Sequence, residues 1–295
     1  MPRLVYVNGQ YLPYNEASVH VEDRGFQFAD GIYEVIGCIH GHLADERGHL
    51  DRLERSLSEM HMDMPVERET MRFLMRDCLR KNNLKNAGIY VQITRGTAKR
   101  DFKFPAPDTP LSLVIITFPF DFDHNPSIQN GVRVKTMNDL RWKRRDIKTV
   151  ALLPQALAKQ DAIESDVDDA WMIDDQGYVT EGSASNAWIL SKDKTLITRP
   201  VSNDILRGVT RTAIEKLAKE QKIEIEERLF TVEEAYKSKE AFTSSATALI
   251  TPVIEINGKK IGQGRPGAFV QNLYQEYRAY VDGLRGQQVS WESGL

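Results

Sequence analysis

Pro119-Phe-Asp-Phe-Asp-His-Asn-Pro126 has a proline at each end and neither a helical nor a strand period, and the character of the chain changes across it. Upstream, Leu4-Val-Tyr-Val7 and Gln10-Tyr-Leu-Pro13 flank Asn8-Gly9, a strong hairpin turn because both residues tolerate positive φ. Residues 31–40 form a β-branched run ending at Gly41, and 89–94 and 111–118 read as two further strands around a polar loop. Leu50, Leu53 and Leu57 recur at helical spacing and predict a helix over 45–60; Met71, Leu74, Met75 and Cys78 predict another over 69–79. Residues 1–118 are therefore expected to form an N-terminal α/β domain and 119–131 a linker.

Downstream, short strands at 132–136, 170–173, 187–190, 195–198, 224–226, 241–244 and 250–256 alternate with helices at 150–164, 210–221, 232–237 and 268–281. Residues 132–295 are expected to form the second domain. The class is α+β with two domains, without an internal repeat, and the Gly-, Gln- and Ser-rich tail after Leu284 is expected to fray.

With 295 residues, 41 % hydrophobic content and a net charge of −3, the chain is long enough for a sizeable core and carries no footprint for nucleic acid or an anionic membrane. The basic run Arg141, Lys143, Arg144 and Arg145 reads as a solvated face or a set of local ion pairs. Cys38 and Cys78 lie among apolar residues and read as buried reduced thiols, as in a cytoplasmic protein. The N-terminal residues lack the apolar core of a signal peptide, and no run is long enough to span a bilayer. The six histidines show no Cys/His ligand spacing, so no metal is expected.

Three segments carry residues for chemistry. Lys148 closes Arg141-Trp-Lys-Arg-Arg-Asp-Ile-Lys148; most lysines are solvated, but Ile147 and the apolar residues after it predict a junction partly out of water. Burial and a nearby cation both favour the neutral amine, which attacks aldehydes. Glu181 lies in Thr180-Glu-Gly-Ser-Ala-Ser-Asn186, read as a polar turn whose small residues let a flat ring approach the backbone. Leu206-Arg-Gly-Val-Thr210 leads into a helix whose first amides can bind an anion, as can those of any Thr-initiated helix.

In this order the three segments resemble the pyridoxal-phosphate enzymes of the D-amino-acid and branched-chain aminotransferase family, fold type IV, from about Val5 to Gly283. The resemblance implies a two-domain enzyme with its active site in the interdomain cleft at a dimer interface, the second domain binding pyridoxal 5'-phosphate. Lys148 is then the Schiff-base lysine and the acid/base for the substrate Cα, and Glu181 holds the pyridine nitrogen protonated. Residues 183–185, among them Ser183 and Ala184, line the pocket. Leu206 packs on the ring, and the Gly208 turn gives the Val209 and Thr210 amides to the phosphate. Arg52, in His49-Leu-Asp-Arg-Leu53, matches the arginine that pairs with that phosphate. A second phosphate contact falls in Thr243-Ser-Ser-Ala-Thr247. Many relatives carry threonine where this chain has Ala246, so either a backbone amide serves there or Ser245 or Thr247 takes over.

Asp30-Gly-Ile-Tyr-Glu-Val35 is similar to the D-amino-acid branch, in which the tyrosine, here Tyr33, receives the substrate carboxylate; Tyr33 and Val35 argue against a branched-chain enzyme. Arg100, in Arg95-Gly-Thr-Ala-Lys-Arg-Asp-Phe-Lys-Phe-Pro105, falls where the family's carboxylate-binding arginine reaches in from the partner subunit, while Phe102 replaces the family's histidine. The resemblance thus implies a homodimeric, ping-pong D-amino-acid aminotransferase of the D-alanine/2-oxoglutarate type, acting on a small amino donor and a 2-oxo acid acceptor. Phe102 keeps an (R)-selective amine or mixed-specificity transaminase in play, and a branched-chain L-amino-acid aminotransferase stands behind both. Aminodeoxychorismate-lyase-like activity shares the fold and cofactor. A non-catalytic cofactor-binding module is the rival of a different class, against which the presence of Lys148, Glu181 and Arg52 counts.

Overall fold

The computed structural model describes residues 3–283, so the tail after Leu284 lies outside the described residues. The chain divides into two compact units, Met1–Phe122 with Ile147–Ala151, and Asp123–Asp146 with Leu152–Leu295. The division falls inside the expected 119–131 linker, which also contains a short helix. Ile147–Ala151, placed by the sequence in the second domain, packs with the first because Ile147 is buried in that unit's core.

In the first unit β1 (Leu4–Val7), β2 (Gln10–Pro13), α1 (Arg24–Phe28), β3 (Gly31–Ile39), β4 (His42–Leu43), α2 (Glu46–Glu59), α3 (Arg68–Lys81), β5 (Ala87–Thr94) and β6 (Ser112–Pro119) follow in order. The strands form one antiparallel sheet, β2-β1-β6-β5-β3-β4. Asn8 and Gly9 turn the first hairpin at φ 46° and 93°, as the pairing of Val7 with Gln10 requires. Leu50, Leu53 and Leu57 from α2 and Met71, Met75 and Cys78 from α3 bury against Ile32, Ile36, Ile89, Val91 and Ile93 on one sheet face. Alternation along β3 and β5 sends Tyr33, Val35, Tyr90 and Gln92 to the other face, where all four are half-buried.

The second unit runs α4 (Pro126–Asn130), β7 (Val132–Asn138), α5 (Leu153–Glu164), β8 (Asp169–Ile173), β9 (Val179–Gly182), β10 (Asn186–Leu190), β11 (Leu196–Thr198), α6 (Val209–Glu220), β12 (Ile225–Glu227), α7 (Val232–Lys237), β13 (Glu240–Ser245), β14 (Leu249–Ile256), β15 (Lys259–Lys260) and α8 (Ala268–Gly283). The sheet order is β12-β11-β10-β13-β14-β7-β8-β9. Only residues 183–185 join β9 to β10, although four strands separate the two in the sheet. A three-residue link spans at most about 11 Å, so the sheet curls until β9 and β10 meet, where Gly182 N–H donates to the Ser185 carbonyl at 2.7 Å. The stretch 180–186 is accordingly strand, three-residue link and strand rather than one polar turn. Helix α5 begins at Leu153 instead of 150, because Pro154 suits a first turn whose amide needs no partner. No described helix is long and apolar enough to cross a membrane.

Candidate active site

The segment Ile147–Ala151 lies along the free edge of β3. Tyr33 N–H donates to the Lys148 carbonyl and Val150 N–H to that of Gly31, both at 3.0 Å, and Ile32 bridges Thr149. Ile147, only 4 % exposed, anchors the segment with about 2 kcal/mol of apolar burial. The half-buried Lys148 therefore comes off a fixed backbone, and its Nζ lies 3.4 Å from the Tyr33 hydroxyl and 4.4 Å from the centre of that ring. Tyr33 stacks on Tyr90 at 5.5 Å, and the Tyr90 hydroxyl donates to Gln92 Oε1 at 2.6 Å. Burial pushes the Tyr90 phenol up to about 12, so it remains a donor at neutral pH. Val35 stands beside these groups, directly across from Tyr90. Tyr90 and Gln92 have no local signal in the sequence, where they read as ordinary strand residues.

On the opposite side of β3, buried Glu34 accepts from Arg52 through Nε (2.6 Å) and Nη2 (2.8 Å) and faces His49 Nδ1 at 2.8 Å. Glu34 thereby fixes the plane of the Arg52 fork. Burial alone would raise its carboxyl, but the Arg52 charge and hydrogen bonds, with His49, hold it at about 2. Glu34→Gln is expected to cost about 3–5 kcal/mol in urea unfolding at pH 7, because it leaves a cation without its carboxylate. The depressed carboxyl contributes stability that is present above the ordinary value of 4.5 and lost as pH falls toward 2. The difference between wild type and variant should narrow across that window; a gap independent of pH would assign the loss to packing.

Arg100 and Phe102 stand on the loop after β5. The Arg100 guanidinium lies 4.7 Å from the Phe28 ring centre, and Phe102, 85 % exposed, meets the same ring edge-on at 5.7 Å.

In the second unit Glu181 occupies β9, almost fully buried. Arg141 Nη1 donates to its Oε1, Asn186 Nδ2 to its Oε2 at 3.1 Å, and Leu206 N–H to both oxygens at 3.3 Å. Asn186 Nδ2 also donates to the Leu206 carbonyl at 2.9 Å, tying the 206–210 turn to Glu181. A Cβ on Gly208 would stand 2.1 Å from Asn186 Oδ1, so only glycine lets the turn pass. Burial raises the Glu181 carboxyl above its ordinary value, against the pull of Arg141 and Leu206 N–H and with help from nearby Asp139. A buried carboxylate fixed by such donors is a group that can face a protonated ring nitrogen. The basic run resolves into local ion pairs: Arg141 with Asp139 and Glu181, Arg145 with Asp139 and Asp204, and Arg144 with Asp146. The sequence reading missed Arg141 as the partner of Glu181 because forty positions separate the two.

Among the described residues no side chain caps the N-terminus of α6, which starts at Val209 and Thr210, leaving its first amides and the positive end of the dipole to an anion. Ser183 is committed elsewhere, its hydroxyl donating to Asp169 at 2.5 Å and its N–H to the Ala170 carbonyl at 3.1 Å. Ala184 is exposed on the link, and the buried Ser185 Oγ has no partner among the described residues. Ser245 Oγ accepts from Ala248 N–H at 3.1 Å and so shapes the turn carrying Ala246 and Thr247. An uncapped helix start, a partnerless hydroxyl and a buried carboxyl fit the phosphate, ring substituents and basic nitrogen of pyridoxal 5'-phosphate.

The model of the family "amino-transferase class IV" matches residues 31–256. The D-alanine aminotransferase of Staphylococcus haemolyticus is 38 % identical over 280 residues, 94 % of this chain and 98 % of that protein. The D-alanine aminotransferase of Bacillus licheniformis is 36 % identical, over 91 % of this chain and 94 % of that protein. Among solved structures, the branched-chain amino acid aminotransferase of Escherichia coli superposes with a TM-score of 0.88 at 26 % identity, covering 100 % of this chain and 98 % of the other. With the family model matched over residues 31–256 and relatives aligned over nearly their whole length, this chain belongs to the class IV aminotransferases and is a transaminase.

Proposed function

We propose that this transaminase moves the amino group of D-amino acids, D-alanine among them, to 2-oxo acids such as 2-oxoglutarate, using pyridoxal 5'-phosphate. The observation that carries this reading is the Tyr33 hydroxyl 3.4 Å from Lys148 Nζ, which puts the polar residue of the D-amino-acid branch beside the reacting amine. The D-alanine aminotransferases at 36–38 % identity support the same branch.

Bound pyridoxal 5'-phosphate supplies an electrophilic aldehyde and a ring that accepts electrons. Lys148 would hold the cofactor through its amine; freed when the donor's amino group takes its place, its Nζ would take the proton from the donor Cα in one half-reaction and return one to the acceptor Cα in the other. Glu181 keeps a proton on the ring nitrogen, and Arg141, Asn186 and Leu206 N–H keep its carboxyl in place. The Val209 and Thr210 amides, with Arg52, hold the phosphate; the 245–247 turn gives it a further contact. Tyr33 and Arg100 receive the substrate carboxylate, and Val35 bounds the side chain.

We assign Arg100 to the site of a second copy, making the enzyme a homodimer, and place it in the cytoplasm. The exposure of Phe26 (76 %) and Phe102 (85 %) supports the first assignment, and the two buried free thiols, Cys38 and Cys78, support the second.

Phe102 favours a second reading, activity toward (R)-amines, since an aromatic ring where a polar partner of the carboxylate would stand can also receive an apolar group. The test is the visible spectrum of the cofactor-loaded protein on adding D-alanine, L-leucine or (R)-1-phenylethylamine separately. D-Alanine should bleach the cofactor band and L-leucine should leave it. Bleaching by the amine as well would establish the wider specificity, and bleaching by L-leucine alone would overturn the D-amino-acid reading.

A further inference from the structure

We propose that Arg24 is a positioning residue for carboxylate recognition: it pins the loop that presents Arg100 and Phe102. The inference rests on the assignment of Arg100 as a carboxylate contact.

The loop after β5 is held at three places by the stretch around α1. Ala98 N–H donates to the Glu22 carbonyl at 3.3 Å, and Arg24 N–H donates to the Gly96 carbonyl at 2.9 Å. The third tie is a side chain. Arg24 is 3 % exposed; its Nε donates to Asp30 Oδ2 and its Nη1 to the main-chain carbonyl of Asp101, each at 2.7 Å. Asp101 sits between Arg100 and Phe102, so fixing its carbonyl fixes the 101–102 peptide that leads into Phe102 and anchors the backbone one residue from Arg100.

The same guanidinium supports both side chains through a ring. Arg24 Cζ lies 4.6 Å from the centre of the Phe28 ring, Arg100 Cζ lies 4.7 Å from it, and Phe102 meets it edge-on at 5.7 Å and 63°. Asp30 in turn is a buried hub. It also takes Arg95 Nε at 2.8 Å, while Arg95 Nη2 donates to the Met60 carbonyl at 2.6 Å and its Cζ lies 3.7 Å from the Phe104 ring centre. The loop is thus clamped at its start and at its midpoint by two arginines sharing one carboxylate. A guanidinium held over a ring face keeps its planar fork of N–H donors, which can take a carboxylate side-on. Holding that group before substrate arrives removes an ordering cost from each binding event.

Arg24→Lys keeps a cation for Asp30 but lacks the planar fork that reaches Asp101 and stacks on Phe28. In the cofactor-loaded enzyme it should raise KM for D-alanine and 2-oxoglutarate about 10- to 100-fold, the order that small misplacements of binding groups produce. The inhibition constant of propionate, a carboxylate that cannot react, should rise in parallel, with kcat at saturation largely kept. Phe28→Leu should move the same constants in the same direction and decides the matter should the lysine variant fail to fold. Unchanged carboxylate constants in a folded variant, or a fall in kcat with KM unmoved, would overturn the proposal. Arg100→Ala separates the two readings: if it raises the carboxylate constants and Arg24→Lys does not, only the tether is wrong. If Arg100→Ala leaves them unmoved, the assignment of Arg100 fails and the tether with it.

Discussion

Lys148→Ala should lower transamination by about three to four orders of magnitude, the scale of a positioned acid/base, with any loss of covalent participation added to it. It should do so without unfolding the first unit. The segment is held by Ile147 in the core and by the backbone bonds of Tyr33 and Val150, none of which needs the lysine side chain. The expected change in unfolding free energy is below about 1 kcal/mol, as for a half-buried side chain without a buried ion pair. Cofactor should still bind, through its phosphate and ring nitrogen, and remain after gel filtration at micromolar concentration. What should vanish is covalent fixation. Borohydride should leave the cofactor attached to a peptide containing Lys148 in the wild type and to no peptide in the variant. A variant that keeps its turnover, or is still labelled by borohydride at another lysine, would remove Lys148 from the reaction. Loss of turnover together with a large loss of stability would leave only a structural role.

The parts of this fold legible from sequence are those that repeat a local pattern. The Leu50, Leu53, Leu57 spacing and the Met71, Met75, Cys78 spacing each bury one stripe of a helix, and the structure has α2 and α3 there. Helix α1 was missed because it has five residues and no room for a period. Its signal was the cap, Asp23, which accepts the Gly25 N–H at 2.8 Å and also takes Thr94 and Ser112 from two strands. Strand β9 was missed because Val-Thr-Glu-Gly has turn composition, and its buried polar groups are satisfied by residues far away in sequence. Lys148 and Glu181 were legible as a pair of motifs, but the groups that give them their environment were not. Tyr90 reaches Tyr33 across a strand pairing, and Arg141 reaches Glu181 across a sheet edge. Local composition carries no record of such pairings, which follow from register and curl.

Arg141→Met is expected to be the most destabilising of the single changes around Glu181. The arginine side chain is 6 % exposed and holds two buried carboxylates, Glu181 and Asp139; the Asp139 side chain is fully buried and accepts from Arg141 Nη2 and the Thr180 hydroxyl, both at 2.7 Å. Methionine fills much of the volume, so the loss is chiefly electrostatic. Removing one partner from a buried ion pair costs about 3–5 kcal/mol. Arg145, 3.5 Å from Asp139, offsets part of it. The pH dependence fixes the sign. Burial would raise Asp139, but hydrogen bonds from Arg141 and Thr180 hold it below its ordinary value, so in the wild type it contributes stability that fades as the solution is acidified below about pH 4. Glu181 is already raised by burial and will rise further without the arginine. In the variant both carboxyls should take up protons well above their ordinary range, which relieves the buried charge. The stability gap measured by urea unfolding should therefore shrink steadily from pH 7 to pH 5. Adding Glu181→Gln to Arg141→Met removes one uncompensated charge and should restore part of the loss, a coupling that a double-mutant cycle reads directly. Additive losses at a constant gap would mean that Arg141 holds this region by packing, and the electrostatic account of Glu181 would have to be abandoned.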